Sequence, residues 1–160
     1  MTLFATADLC DAYEGEVTVL EPMFAHFGGV SQFHGRVQTV KVFEDNVLVK
    51  AQLATPGEGR VLVVDGGGSL RCALLGDLLA QMAIDNGWVG VLVFGAIRDS
   101  GPISAMPIGV MALGSHPRKS VKKGAGDVGI ALTFAGQTIH PGAWLYADDD
   151  GVILADRPLH

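Results

Sequence analysis

Arg98 and Asp99 stand side by side in the chain. An arginine can hold a carboxylate with two parallel hydrogen bonds, which a lysine cannot reproduce. An aspartate offers hard oxygens suited to Mg²⁺ or Mn²⁺, and Mg²⁺ keeps several waters and accepts few protein ligands. Together the two could clamp and polarise a small oxygen-rich anion. The same two residues also read as a surface ion pair, worth well under about 1 kcal/mol. The elements that carry them decide between these readings.

The run Arg60–Asp65 reads as a strand buried on both faces, ending at Gly66-Gly67-Gly68. Leu70 to Asn86 carries apolar residues at helical spacing, and Gly87 is placed as its stop. Trp88 to Phe94 reads as a second buried strand. The unit is a right-handed parallel βαβ, and ligands bind outside the carboxyl ends of such strands. Gly66–Ser69, Leu75–Leu79 and Arg98-Asp99 are therefore expected to converge. The amides of Gly76, Asp77, Leu78 and Leu79 can donate to an anion if they occupy the first turn of a helix. The glycine loop fits neither GxGxxG, because Arg71 stands where the last glycine belongs, nor a P-loop, because its lysine is missing. A tight turn and a ligand contact both remain open for it.

The flanks are β-rich. A short helix is expected from Thr6 to about Tyr13, and strands at Val17–Leu20 and Gly35–Phe43. Asp45 can cap a helix through Leu53. Ser100-Gly101-Pro102 reads as a turn, and Pro107–Leu113 as a strand. Short strands follow at Ile130–Phe134, Thr138–His140, Trp144–Tyr146 and Val152–Leu154, with hairpin turns at Ala135–Gln137 and Asp149–Gly151. The 160 residues fit a single domain, 1–160, with a central βαβ core and β-rich ends. Hydrophobic residues at 49% and charged residues at 18% argue against disorder. The net charge of −6 shows no nucleic-acid footprint, so direct nucleic-acid binding is not expected. The one basic run, His116–Lys123, reads as a solvated surface loop rather than a partner-binding patch. Two isolated cysteines, Cys10 and Cys72, fit a reducing cytoplasm. No signal peptide is evident, and no apolar run is long enough to span a bilayer. The five histidines lack zinc-ligand spacing, and no G-x-S-x-G elbow occurs.

Across nearly its whole length the sequence resembles the RraA-like family, which holds regulators of ribonuclease E activity and class II 4-hydroxy-4-methyl-2-oxoglutarate aldolases. The resemblance rests on Asp8-Leu9-Cys10-Asp11, Glu21-Pro22, Phe27-Gly28-Gly29, Val40-Lys41, Phe43–Asn46, Gly59–Gly68, Gly95–Arg98 and Leu145–Asp148. The aldolase branch carries an Asp, twenty residues, then Arg-Asp; here residues 78 to 97 separate Asp77 from Arg98-Asp99. The resemblance implies an α/β swivelling β/β/α domain. It implies Arg98 on the pyruvoyl carboxylate, Asp99 on a divalent cation (Mg or Mn), and the Gly76–Leu79 amides on the same carboxylate. It further implies retro-aldol cleavage to two pyruvates. A water oriented by Asp77 is one candidate for the base, which stays unassigned, and the shared pyruvate enolate makes oxaloacetate decarboxylation an expected side activity. It also implies a ring-shaped homotrimer with sites between subunits. Some members add an acidic residue from a C-terminal extension or a neighbour, and here little sequence follows Asp156. The alternative within the family is a non-enzymatic regulator that binds ribonuclease E. Regulators tend to lack the acidic residue after the Arg, and this chain keeps it.

Overall fold

A computed structural model describes residues 3–160. The helices are α1 (Thr6–Ala12), α2 (Val47–Leu53), α3 (Asp77–Asp85) and α4 (Ser100–Ser104). The first strands are β1 (Val17–Val19), β2 (Ala25–His26), β3 (Phe33–Lys41), β4 (Val61–Asp65), β5 (Ala73–Leu75) and β6 (Gly90–Ile97). They are followed by β7 (Gly109–Ser115), β8 (Asp127–Val128), β9 (Leu132–Phe134), β10 (Gln137–Ile139), β11 (Trp144–Ala147) and β12 (Val152–Ala155).

The main sheet runs β1-β12-β11-β3-β4-β6-β7-β2, with β5 paired to β6 and β8 paired to β3. Its centre is parallel: β3 with β4, β4 with β6, β6 with β7. Its flanks are antiparallel. This is the mixed α/β architecture expected, with β-rich ends around a parallel core. Every residue of β4 is buried, which requires cover on both faces. Leu62 and Val64 point into a core with α2, α3 and α4, beside Val49, Leu53, Ala80 and Ile103. Val61 and Val63 point into a second core, beside the β9–β10 hairpin residues Leu132, Phe134 and Ile139. Lys41, the last residue of β3, is exposed. No helix among the described residues is long and apolar enough to cross a membrane.

Three expectations need correction. Leu70–Asn86 is not one helix: Ala73–Leu75 forms β5, parallel to β6, and α3 starts only at Asp77. Ala73, Leu74 and Leu75 are all buried, and three consecutive buried residues suit a covered strand better than one stripe of a helix. Ser100–Pro102 opens a short helix rather than a turn; Pro102 is tolerated because first-turn N–H groups have no intrahelical partner. Asn46, not Asp45, is the N-cap of α2. Asp45 still serves that end, its Oδ1 accepting the Val47 N–H at 3.1 Å.

Phe33 locks the start of the parallel core. Gly90 and Gly109 are cross-strand partners, and the Phe33 ring lies on both. A Cβ at Gly109 would meet Phe33 Cδ1 at 2.1 Å, and one at Gly90 would meet Cδ2 at 2.4 Å. Phe33→Ala is expected to cost about 3–5 kcal/mol through the cavity it leaves. Gly109→Ala should cost about 1–3 kcal/mol through overpacking. In urea unfolding the double variant should lose less than the sum, because the small side chain at 33 relieves the clash at 109.

Candidate active site

The strands β5 and β6 deliver their residues to one point. The Arg98 amide donates to the Leu75 carbonyl at 2.9 Å, so the two chains leave the sheet edge side by side. One passes through Gly76 into α3, and the other through Arg98 and Asp99 into α4. Asp99 has φ 58 and ψ 40, a left-handed conformation that Asp adopts more readily than most residues. There its Oδ2 accepts the Asp77 N–H at 3.0 Å. The carboxylate lies so close to Gly76 that a Cβ at that position would meet Oδ2 at 2.8 Å. A negative group is thereby fixed at the positive end of α3, and one orphan first-turn amide gains a partner. Oδ1 makes no hydrogen bond among the described residues. The Leu78 and Leu79 amides follow in the same turn and have no acceptor within the helix.

A cleft of ≈ 560 Å³ opens over this junction. Gly76, Asp77, Leu78, Leu79, Arg98 and Asp99 all line it, so the residues expected to bind the carboxylate and the cation meet there. Arg98 is half-buried, and its Nη1 reaches only the Pro117 carbonyl, at 3.5 Å. Arg98 and Asp99 do not pair with each other; the ion pairs among the described residues are Arg71–Glu44 and Arg157–Glu16. The guanidinium is therefore not committed to a protein carboxylate. No group of three or more His, Cys, Asp or Glu among the described residues could hold a metal ion. Asp99 instead suits a hard cation that keeps most of its shell as water and substrate oxygens, as Mg²⁺ does. The missing Cβ at Gly76 is the space that lets the Asp99 carboxylate sit there.

Two parts of the sequence reading change here. The glycine loop does not join the cleft. Gly67 and Gly68 lie with Phe43 and Arg71 around a separate shallow depression. There Ser69 Oγ donates to Glu44 Oε2 and Arg71 Nε pairs with the same oxygen, both at 2.6 Å. The hydrogen bonds from Arg71 and Ser69 hold the Glu44 carboxyl below the usual carboxylate range. The basic run is not a free surface loop. Lys119, Ser120 and Lys122 line the cleft with Asn46 and Lys50, and the sequence reading missed all five.

Asp45 explains why that run stays in place. Its buried Oδ2 accepts the N–H groups of Lys123, Gly124 and Ala125 at 3.0, 2.8 and 3.2 Å. Burial pushes the Asp45 carboxyl up, but these three amides and that of Val47 pull it further down, to a net value below the usual range. The available signal was a lysine-rich run ending in Gly124-Ala125-Gly126, whose amides are easily gathered by a distant carboxylate.

The Aldolase/RraA family model matches residues 6–154. The chain belongs to the RraA-like family. A relative from Aromatoleum aromaticum, provisionally named a 4-hydroxy-4-methyl-2-oxoglutarate aldolase, is 59% identical over 98% of both chains. A structure titled as an S-adenosylmethionine:2-dimethylmenaquinone methyltransferase from Geobacillus kaustophilus is 53% identical, with TM-score 0.96 over 98% of this chain and 97% of that one. A structure of the RNA-processing inhibitor RraA from Thermus thermophilis is 46% identical, with TM-score 0.96 over 99% and 96%. The RraA-like fold is thus shared almost end to end.

Two outcomes follow from the geometry. Gly76→Ala keeps an ordinary backbone conformation, since φ is −125°. It should leave the melting temperature within a few degrees while displacing Asp99, seen as loss of divalent-cation binding by calorimetry. Asp45→Asn removes the anionic acceptor and should speed amide exchange across residues 119–125. In the unaltered protein the same loosening should appear only on strong acidification. A depressed carboxyl contributes its stability above its unfolded value and loses it as pH falls through the lowered folded value.

Proposed function

We propose that this chain cleaves 4-hydroxy-4-methyl-2-oxoglutarate into two pyruvates, with a divalent cation as cofactor. The observation that carries this reading is the Asp99 carboxylate, held on the Asp77 amide in the same cleft as the uncommitted Arg98 guanidinium. The names of the closely similar relatives support it.

Arg98 grips the substrate's C1 carboxylate with two charge-assisted hydrogen bonds. The Leu78 and Leu79 amides add donors at the positive end of α3. Asp99 would hold the cation, which would supply Lewis acidity that draws charge off the 2-oxo group. A water oriented by Asp77 takes the proton of the 4-hydroxyl. The C3–C4 bond then breaks. Its electron pair passes to C3 and delocalises through the 2-oxo group as pyruvate enolate, while C4 becomes the carbonyl of the second pyruvate. Protonation of the enolate at C3 completes the balance. Loss of CO₂ from oxaloacetate leaves the same enolate, so decarboxylation is the expected side activity.

The methyl transfer named for the Geobacillus protein finds no support in this cleft. Arg98, Lys50, Lys119 and Lys122 give it a cationic wall, which suits an anion rather than a sulfonium. The inhibitor reading draws on the Thermus protein, and both roles can coexist on one fold.

With Mg²⁺ or Mn²⁺ the purified protein should release pyruvate from both substrates, followed by a coupled assay, and EDTA should stop it. Asp99→Ala should abolish the metal-dependent rate. Arg98→Ala should lower kcat/KM on the order of 10–100-fold, the worth of hydrogen bonds to a charged group. A metal-supplied protein that yields no pyruvate contradicts the proposal. Inhibition of RNA processing that survives Asp99→Ala would separate the second role from the first.

A further inference from the structure

Lys122 Nζ donates to Asn46 Oδ1 at 2.6 Å, and Asn46 Nδ2 donates to the Leu74 carbonyl at 3.2 Å. The second bond fixes which end of the Asn46 amide faces the lysine. Lys122 is therefore held by a neutral oxygen. Its ammonium keeps its full charge, and its other N–H donors are unused among the described residues. Arg98 is held in the same manner, its guanidinium reaching only the Pro117 carbonyl. Both cations are tied to neighbouring residues of β5. The Leu75 carbonyl takes the Arg98 amide on the β6 side, and the Leu74 carbonyl takes Asn46 at the start of α2. Arg98 and Lys122 thus flank the end of β5, and both line the cleft over it. Lys50 and Lys119 line that cleft too, and all three lysines are exposed, so a solute can reach them. None of the three forms an ion pair among the described residues. The chain has 17 acidic residues against 11 basic ones, so the missing counter-charge is not for want of acids. Arg98 and the α3 amides already provide for one carboxylate. A second set of unpaired cations on the other side of β5 exceeds what a monoanion needs.

We propose that Lys122 receives the second carboxylate of a dianionic 2-oxo acid, with Asn46 holding its ammonium in place and Lys50 and Lys119 adding to the field. The inference rests on the 2-oxo-acid reading of the cleft. It makes Lys122 a specificity determinant. An acid with a carboxylate at each end is held on both sides of β5, and an acid with one carboxylate is held by Arg98 alone. Asn46 is a positioning residue that acts through Lys122.

Binding calorimetry with Mg²⁺ tests this using 2-oxoglutarate and 2-oxopentanoate. The two share one carbon chain and differ in the second carboxylate, and neither has the 4-hydroxyl needed for retro-aldol cleavage. The unaltered protein should bind 2-oxoglutarate about tenfold more tightly, as expected for charge-assisted hydrogen bonds at the second carboxylate. Lys122→Met keeps most of the apolar stem and removes the charge. It should abolish that preference by weakening 2-oxoglutarate alone, whereas a merely structural defect would weaken both ligands alike. Lys122→Arg, which keeps the charge, should retain most of the preference. Added salt should narrow it in the unaltered protein, because the lysines are exposed and their charge is screened. If Lys122→Met weakens both ligands alike, or neither, or if the unaltered protein shows no preference, the subsite is overturned while the 2-oxo-acid reading stands. If the unaltered protein binds neither ligand, both fail together.

Discussion

The site depends on one hydrogen bond, from the Asp77 amide to Asp99 Oδ2. It joins the end of β6 to the start of α3. It fixes a carboxylate where the helix field favours negative charge. It exists only because Gly76 has no side chain and because Asp99 accepts a left-handed backbone. Those two local concessions leave Arg98 free of any protein carboxylate. A small anion entering the cleft therefore meets an uncommitted guanidinium, unpaired helix amides and a pre-oriented carboxylate oxygen within one short stretch of chain.

The rest of the molecule serves that junction by rigidity. The parallel strands β4, β6 and β7 are buried on both faces, and Phe33 closes over the glycines at their start. Asp45 performs the matching task on the other wall. It draws the amides of residues 123–125 together and so keeps Lys119, Ser120 and Lys122 against the cleft. The cleft thus has two anchored walls: one from strand ends and a helix start, the other from a loop on a buried carboxylate.

Much of this was legible in the sequence, for physical reasons. An apolar run such as Val61–Val64 reads as a covered strand, and the ligand edge of a parallel sheet follows from topology. The family resemblance then tied Asp77 to Arg98 and Asp99. What stayed hidden depends on long-range pairing. Ala73–Leu75 has a helical pattern locally and becomes a strand because β6 runs past the end of β4 and offers Ala96 and Ile97 for pairing on that side. The glycine loop looked like a site because of its composition, but its neighbours are Glu44, Arg71 and Phe43. The basic run is exposed, as expected, but its tether stayed hidden because the carboxylate that holds it lies about eighty positions earlier in the chain. Nothing local announces that contact.

The most direct test is whether Asp99 holds a cation next to a bound 2-oxo acid. Mn²⁺ broadens the methyl proton resonance of pyruvate when both sit in one site, which NMR reads without any turnover. Strong broadening is predicted with the unaltered protein, falling to the level of free Mn²⁺ in Asp99→Ala. Equal broadening in the two proteins, or none beyond free Mn²⁺ in the unaltered one, would contradict the assignment of this cleft.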